Sequence, residues 1–133
     1  MERAWRDSGL ARNNMEFHLA YPEDLLSCGI GDGSVDVVFV NSVINLAFDP
    51  ACAFIEIARV LRPGGLLVCE TVVASAERDL GAVEEARALG NSIQAAMSRP
   101  AFERLLADAG FEAPAYGEEL RRQIGRASCR ERV

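Results

Sequence analysis

Residues 34–67 read SVDVVFVNSVINLAFDPACAFIEIARVLRPGGLL, and this stretch decides the fold. Residues 35–40 (VDVVFV) are almost all β-branched or aromatic, the composition of a strand covered on both faces in a parallel sheet. Asp49-Pro50 then predicts a helix start, with Asp49 as N-cap and Pro50 at the first helical position. Phe54, Ile57, Ala58 and Leu61 follow at i, i+3, i+4 and i+7, one apolar face. Pro63-Gly64-Gly65 is expected to end that helix and turn the chain. Residues 66–73 (LLVCETVV) then form a second buried strand.

Working outward, residues 2–10 read as helix, 16–20 (EFHLA) as a short strand and 27–34 as a glycine-bearing loop. Residues 79–97 read as mostly helical, with Gly81 and Gly90 as interruptions. Ser98 is an N-cap for a further helix whose face is Phe102, Leu105, Leu106 and Ala109, and Gly110 stops it. Residues 111–116 are expected to begin another strand. The alternation of strands with helices implies an α/β fold with a mostly parallel sheet.

The chain has 133 residues, half of them apolar, and a net charge of −6. That is one domain's worth of chain, with an acidic balance that disfavours phosphate backbones and hence nucleic acid as partner. No apolar run reaches membrane-spanning length and the first residues lack a signal-peptide core, so a cytoplasmic protein is expected. Cys28, Cys52, Cys69 and Cys129 form no C-x-x-C pair and His18 is the single histidine. Clustered soft ligands are therefore missing, and no metal site is expected. His18 reads as a strand residue rather than a base.

The last ten residues, 124–133 (IGRASCRERV), have no apolar period. They look like the translation of a sequencing adapter, so the natural domain is expected over 1–123 with a non-native tail. The alternative is a basic, disordered C-terminus.

Two segments, SVDVVFVNSVINL at 34–46 and ARVLRPGGLL at 58–67, with one amphipathic helix between them, resemble the fourth and fifth strand region of class I S-adenosylmethionine-dependent methyltransferases. Residues 17–25 (FHLAYPEDL) resemble the end of that family's third strand and its loop. Residues 90–92 and 101–111 resemble its later helical region. The resemblance implies a partial Rossmann-like methyltransferase fold lacking the first two strands, with S-adenosylmethionine as cofactor of the complete domain and a small-molecule methyl acceptor. No E/D-x-G-x-G-x-G loop occurs, and Gly29–Gly33 precedes a strand, whereas a nucleotide-cradling loop follows one. The chain is thus expected to start within a mid-domain helix. Alone it is expected to be inactive, and to fold poorly or self-associate through an exposed strand edge.

The same resemblance implies the site residues. Tyr21 stands where the family carries an adenine-binding acid, with Glu23 and Asp24 just after, and Asn41 and Ser42 follow the fourth strand. These five are expected on the cofactor, and Asn45 and Glu70 on the acceptor. Asn41 and Ser42 equally suit a turn or cap, and Glu70 an ion pair or an exposed edge. NSVINL at 41–46 is close to the NCVINL of arsenite methyltransferases, but Ser42 stands at the arsenic-binding cysteine and Ala88 near a second one. Arsenic(III) needs thiolates, so another acceptor is expected. The competing function is a non-catalytic α/β binding or scaffolding module that pairs with another chain. A dehydrogenase is disfavoured by the Asn41–Leu46 and Arg59–Gly65 motifs.

Overall fold

The computed structural model describes residues 14–117 and the backbone of 119–122 and 128–132. The helix expected at 2–10 lies outside the described residues. The elements are β1 (Val35–Asn41), α1 (Pro50–Val60), β2 (Leu61–Ala74), α2 (Leu80–Ala88), α3 (Arg99–Asp108), β3 (Glu119–Arg122) and β4 (Ser128–Arg132). The sheet order is β1-β2-β4-β3. β1 and β2 are parallel, while β4 pairs antiparallel with both β2 and β3. β4 falls in the stretch expected to be non-native.

α1 forms where the sequence places it. Asp49 accepts from the amides of Ala51 and Cys52 at 3.0 and 3.1 Å, satisfying first-turn donors that have no helical partner. Its buried residues are Ala53, Phe54, Ile57 and Val60, so the apolar face is centred slightly before the expected one and Ala58 sits at its margin. α3 is capped by Ser98 Oγ on the Ala101 amide at 3.3 Å. Gly110 after it adopts φ +91°, a left-handed turn that glycine takes without strain.

Phe54 and Phe102 meet edge to face, ring centroids 5.6 Å apart, and both are fully buried. They join α1 and α3 over one face of the sheet, where Val40, Cys69 and Val73 complete the core. The thiol of Cys69 is pushed up to about 12 by burial, so it packs as a small apolar group.

The turn at Pro63-Gly64-Gly65 is tighter than expected. α1 ends at Val60 and Leu61 already pairs with Val35, while the next paired residues are Val37 and Leu66. Residues 62–65 are therefore looped out as a bulge within the strand. Gly64 has φ +75°, and a Cβ on Gly65 would lie 2.9 Å from the Arg62 carbonyl oxygen.

Three expectations fail locally. Residues 14–20 carry no strand, because among the described residues no neighbouring strand supplies their hydrogen bonds. The helix expected over 79–97 stops at Ala88, since Gly90 turns left-handed at φ +69°. Residues 111–117 are irregular, tied to α3 by a Tyr116 hydroxyl bond to Glu103 and by Arg99 stacked 4.5 Å over the Tyr116 ring.

Arg59, central to the signature stretch, is a structural tie. It donates to both Glu56 oxygens (2.7 and 2.9 Å), to Asp32 (2.6 Å) and to the Ile30 carbonyl (3.2 Å), anchoring the 29–33 loop to α1. Glu56 also accepts from the Leu25 amide at 3.0 Å. The guanidinium bond and these amides hold the Glu56 carboxyl below its ordinary value of 4.5. A depressed carboxylate contributes stability that is present above the unfolded value and lost as pH falls through the folded one. Acid unfolding of the wild type is thus expected to steepen below about pH 4.5, and Glu56→Gln to flatten that limb in a pH series of urea melts.

Candidate functional site

Among the described residues, helices cover only one face of the β1–β2 pair. Val38 and Val40 face the core, while Val37 and Phe39 point the other way and remain 53% and 61% exposed. Their register partners on that bare face are Leu66 and Val68, and towards the carboxyl end Asn41 faces Glu70. A strand composition suited to two covered faces is here covered on one.

Ligands of open α/β sheets bind beyond the carboxyl ends of the strands. A cleft of about 1170 Å³ lies there, between the 18–30 segment, the loop after β1 and α2. Its walls are mainly apolar, with Leu25, Ile30, Val43, Leu46 and Phe48. Tyr21, Glu23, Glu84 and Arg87 bring polar groups to it. A second hollow of about 710 Å³ lies around Pro63–Gly65 and Phe111, at the amino end of β2. It is at the wrong end of the sheet for the site.

The expected residues divide between these surroundings. Tyr21 reaches the cleft with its ring 77% exposed. Glu23 accepts from the Asp49 amide at 2.9 Å through Oε1, while its Oε2 is enclosed and has no hydrogen-bond partner among the described residues. Asp24 does not line the cleft, and its carboxylate accepts locally from the Ser27 amide at 3.1 Å.

Asn41 and Ser42 sit beside the cleft at the end of β1. Ser42 takes φ +60°, left-handed for a non-glycine residue, held by its amide on the Glu70 carbonyl at 2.7 Å. Its hydroxyl donates to Asn41 Oδ1 at 3.0 Å. Such local strain is kept where a structure needs a group in one place.

Asn45 is 1% exposed and does not present its side chain to the cleft. Its Nδ2 donates to Thr71 Oγ1 (3.2 Å) and the Val72 carbonyl (2.7 Å), so it fastens the loop after β1 to β2, and its Oδ1 has no partner among the described residues. Arg87 closes the same loop from outside, donating to the carbonyls of Asn45 (3.4 Å) and Phe48 (3.3 Å). Arg87 and Glu84 carry no site signal in the sequence, because α2 has little amphipathic pattern and buries only Ala86. A basic residue in a helix's last turn was the available signal, but it suits the helix dipole equally well.

Three thiols are described. Cys28 lines the cleft, Cys52 is exposed on the first turn of α1, and Cys69 is in the core. Among the described residues no group of three His, Cys, Asp or Glu is placed to hold a metal ion. Nor is any helix there long and apolar enough to cross a membrane.

Comparison with known proteins adds independent findings. Residues 2–110 match the family model described as a methyltransferase domain. An arsenite methyltransferase of Aquipseudomonas alcaligenes is 34% identical over 106 residues, covering 80% of this chain and 31% of that protein. The arsenite methyltransferase of Halobacterium salinarum is 33% identical over 100 residues, 75% of this chain and 25% of that one. A solved arsenic(III) S-adenosylmethionine methyltransferase from Chlamydomonas reinhardtii superposes with a TM-score of 0.82 at 29% identity, over 97% of this chain and 48% of that chain. The present chain thus spans a third or less of those two relatives and about half of the solved protein.

Proposed function

The chain belongs to the methyltransferase domain family, in its class I S-adenosylmethionine-dependent form, and on that premise we propose that it forms one side of a cofactor and acceptor site whose parent enzyme methylates a small molecule. The observation that carries this reading is Glu23. Its Oε2 is enclosed in the wall of a cleft at the carboxyl end of the sheet and has no donor among the described residues, and a rotation of the Glu23 side chain would turn it to a ligand. An unpaired buried acceptor is costly, and a ligand N–H is what it lacks. The amino group of adenine meets that need, with Glu23 acting where Tyr21 replaces the expected acid and the Tyr21 ring available to stack on the base.

When bound, the cofactor supplies an electrophilic methyl group on a sulfonium. The chain's own contribution is positioning, for which no acid–base pair is required. Asn41 and Ser42, fixed by the strained turn, offer amide and hydroxyl groups to the cofactor's amino-acid end. Glu70 flanks them across the register and is assigned to the acceptor side. Asp24 is engaged by the Ser27 amide, and Asn45 acts through the loop it fastens.

Arsenite is not the proposed acceptor. Ser42, Ala88 and the Gly90-Asn91-Ser92 stretch carry no sulfur, and Cys28 is a lone thiol in the cleft. Soft arsenic(III) requires more than one. On the same reading the glycine-rich loop lies outside this sequence, residues 124–133 are foreign to the domain, and the chain alone is inactive. The exposed face of β1 and its edge, unpaired among the described residues, make self-association the expected behaviour of the isolated chain.

Nitrogen-15 NMR of the chain titrated with S-adenosylhomocysteine tests the cofactor wall. Shifts are expected at Tyr21–Asp24 and Asn41–Ser42 with weak affinity, further weakened in Glu23→Gln. Shifts confined to the Pro63–Gly65 hollow, or none at millimolar ligand, would sink the reading.

A further inference from the structure

Resting on the reading of the cleft wall as the adenine side, we infer that Glu56 and Arg59 of α1 are positioning residues for the cofactor, which set the Tyr21–Ile30 wall from behind without lining the cleft themselves. The wall has little regular structure of its own. Residues 21–33 hold only the short 3₁₀ turn Leu26–Cys28. The backbone bonds inside the segment are local, such as the Asp24 amide to the Tyr21 carbonyl (3.0 Å) and the Ile30 amide to the Leu25 carbonyl (3.3 Å). Where such a segment stands is decided by the rigid element that it is tied to.

The ties converge on α1. Glu56 accepts from the Leu25 amide at 3.0 Å, and Arg59 donates to the Ile30 carbonyl at 3.2 Å and to Asp32 at 2.6 Å. The Arg59 carbonyl accepts from the Gly33 amide at 2.9 Å. Glu23 joins from the other end, on the amide of Asp49, the cap of the same helix. Glu56 and Arg59 stand at i and i+3 and are bonded to each other twice, so α1 presents one braced unit with an acceptor for an amide and a donor for a carbonyl. The two backbone groups that it holds belong to Leu25 and Ile30, which are cleft residues, and Glu23 stands just before Leu25.

Stability alone does not account for this choice of residues. The Glu56 and Arg59 side chains are only 17% and 21% exposed, and taking charges that far from water offsets much of what their attraction returns. Apolar contacts hold a loop on a helix as firmly. What the charged pair adds is direction. It fixes two backbone atoms of the wall to within hydrogen-bond tolerance, which is what reading the edge of a base requires.

The test uses adenosine and purine riboside, which differ only by the amino group on the base and are both uncharged. Each is titrated into the nitrogen-15-labelled full chain. The wild type is expected to prefer adenosine about tenfold, with shifts at Tyr21–Asp24, the worth of one hydrogen bond to a carboxylate. Glu56→Ala is expected to bring the two nucleosides to within about twofold of each other. Glu56→Gln keeps an oxygen for the Leu25 amide and is expected to retain most of the preference. Arg59→Lys is expected to lower the preference to about threefold, because an ammonium cannot span Glu56, Asp32 and the Ile30 carbonyl together.

The preference is a ratio, so a loss of folded chain weakens both nucleosides alike and leaves it unchanged. Equal weakening with the preference kept, in Glu56→Ala and Arg59→Lys, assigns the pair to stability and overturns the inference. Arg59→Lys decides alone where Glu56→Ala yields too little folded chain. A preference that no variant alters overturns it as well. A wild type that does not prefer adenosine removes the reading of the wall itself, and the inference with it.

Discussion

Phe54→Ala is expected to lower stability by about 3–5 kcal/mol, the usual cost of emptying a large aromatic site in a packed core. Phe54 is fully buried, and it is the residue through which α1 grips both the sheet and Phe102 of α3. Domains of this size are stable by only about 5–15 kcal/mol, so the loss removes a large share of the total. The midpoint of a thermal melt followed by circular dichroism is expected to fall by roughly 15 °C or more. Ile55→Ala, one residue along but 54% exposed, is expected to change it little. Similar small losses at both positions would mean that α1 does not pack on the sheet as described.

The second large effect concerns the bare side of the sheet. Val37 and Phe39 lie on the terminal strand, exposed, with a row of backbone donors and acceptors open at its edge. Placing charges there is how natural edge strands avoid pairing with one another. The double substitution Val37→Lys and Phe39→Lys is expected to shift the isolated chain from assemblies to monomer in sedimentation velocity, without loss of helix signal. Both side chains leave the core untouched, so a failure to fold is not expected from their removal. A wild-type chain that is already monomeric at high concentration contradicts the account of this face. Assemblies unaffected by the substitutions contradict the assignment to this edge.

Much of the scaffold was legible in the sequence because the signals there are local. Asp49, Ser98, Gly90 and Gly110 act on the backbone within a few residues, and Phe54, Ile57, Phe102 and Leu106 declare their face by spacing alone. Two of the failures share a different cause, while the overlong helix at 79–97 is cut by the local turn at Gly90. A strand at 16–20 depends on a neighbour that the sequence pattern cannot supply, and the irregular course of 111–117 depends on Arg99 and Glu103 of α3. The Pro63-Gly65 bulge followed the same logic, since Leu61 pairs with Val35 before the turn instead of after it.

The site was less legible than the fold. Tyr21 and Glu23 do reach the cleft, and Asn41 and Ser42 stand at its edge. Asp24 and Asn45, chosen by motif position, are engaged in holding backbone. Arg87 stayed hidden because its place in the cleft wall comes from the packing of α2 against the loop after β1, and only the folded chain displays that.

The central claim is that this chain carries one side of a cofactor site and needs a glycine-rich half to complete it. Calorimetric titration with S-adenosylmethionine decides this, run on the chain alone and on a chimera in which it replaces the matching half of the Chlamydomonas protein. The account predicts micromolar binding by the folded chimera and at least about hundredfold weaker binding by the chain alone, a difference of some 3 kcal/mol. Micromolar binding by the chain alone, or none by a folded chimera, would contradict it.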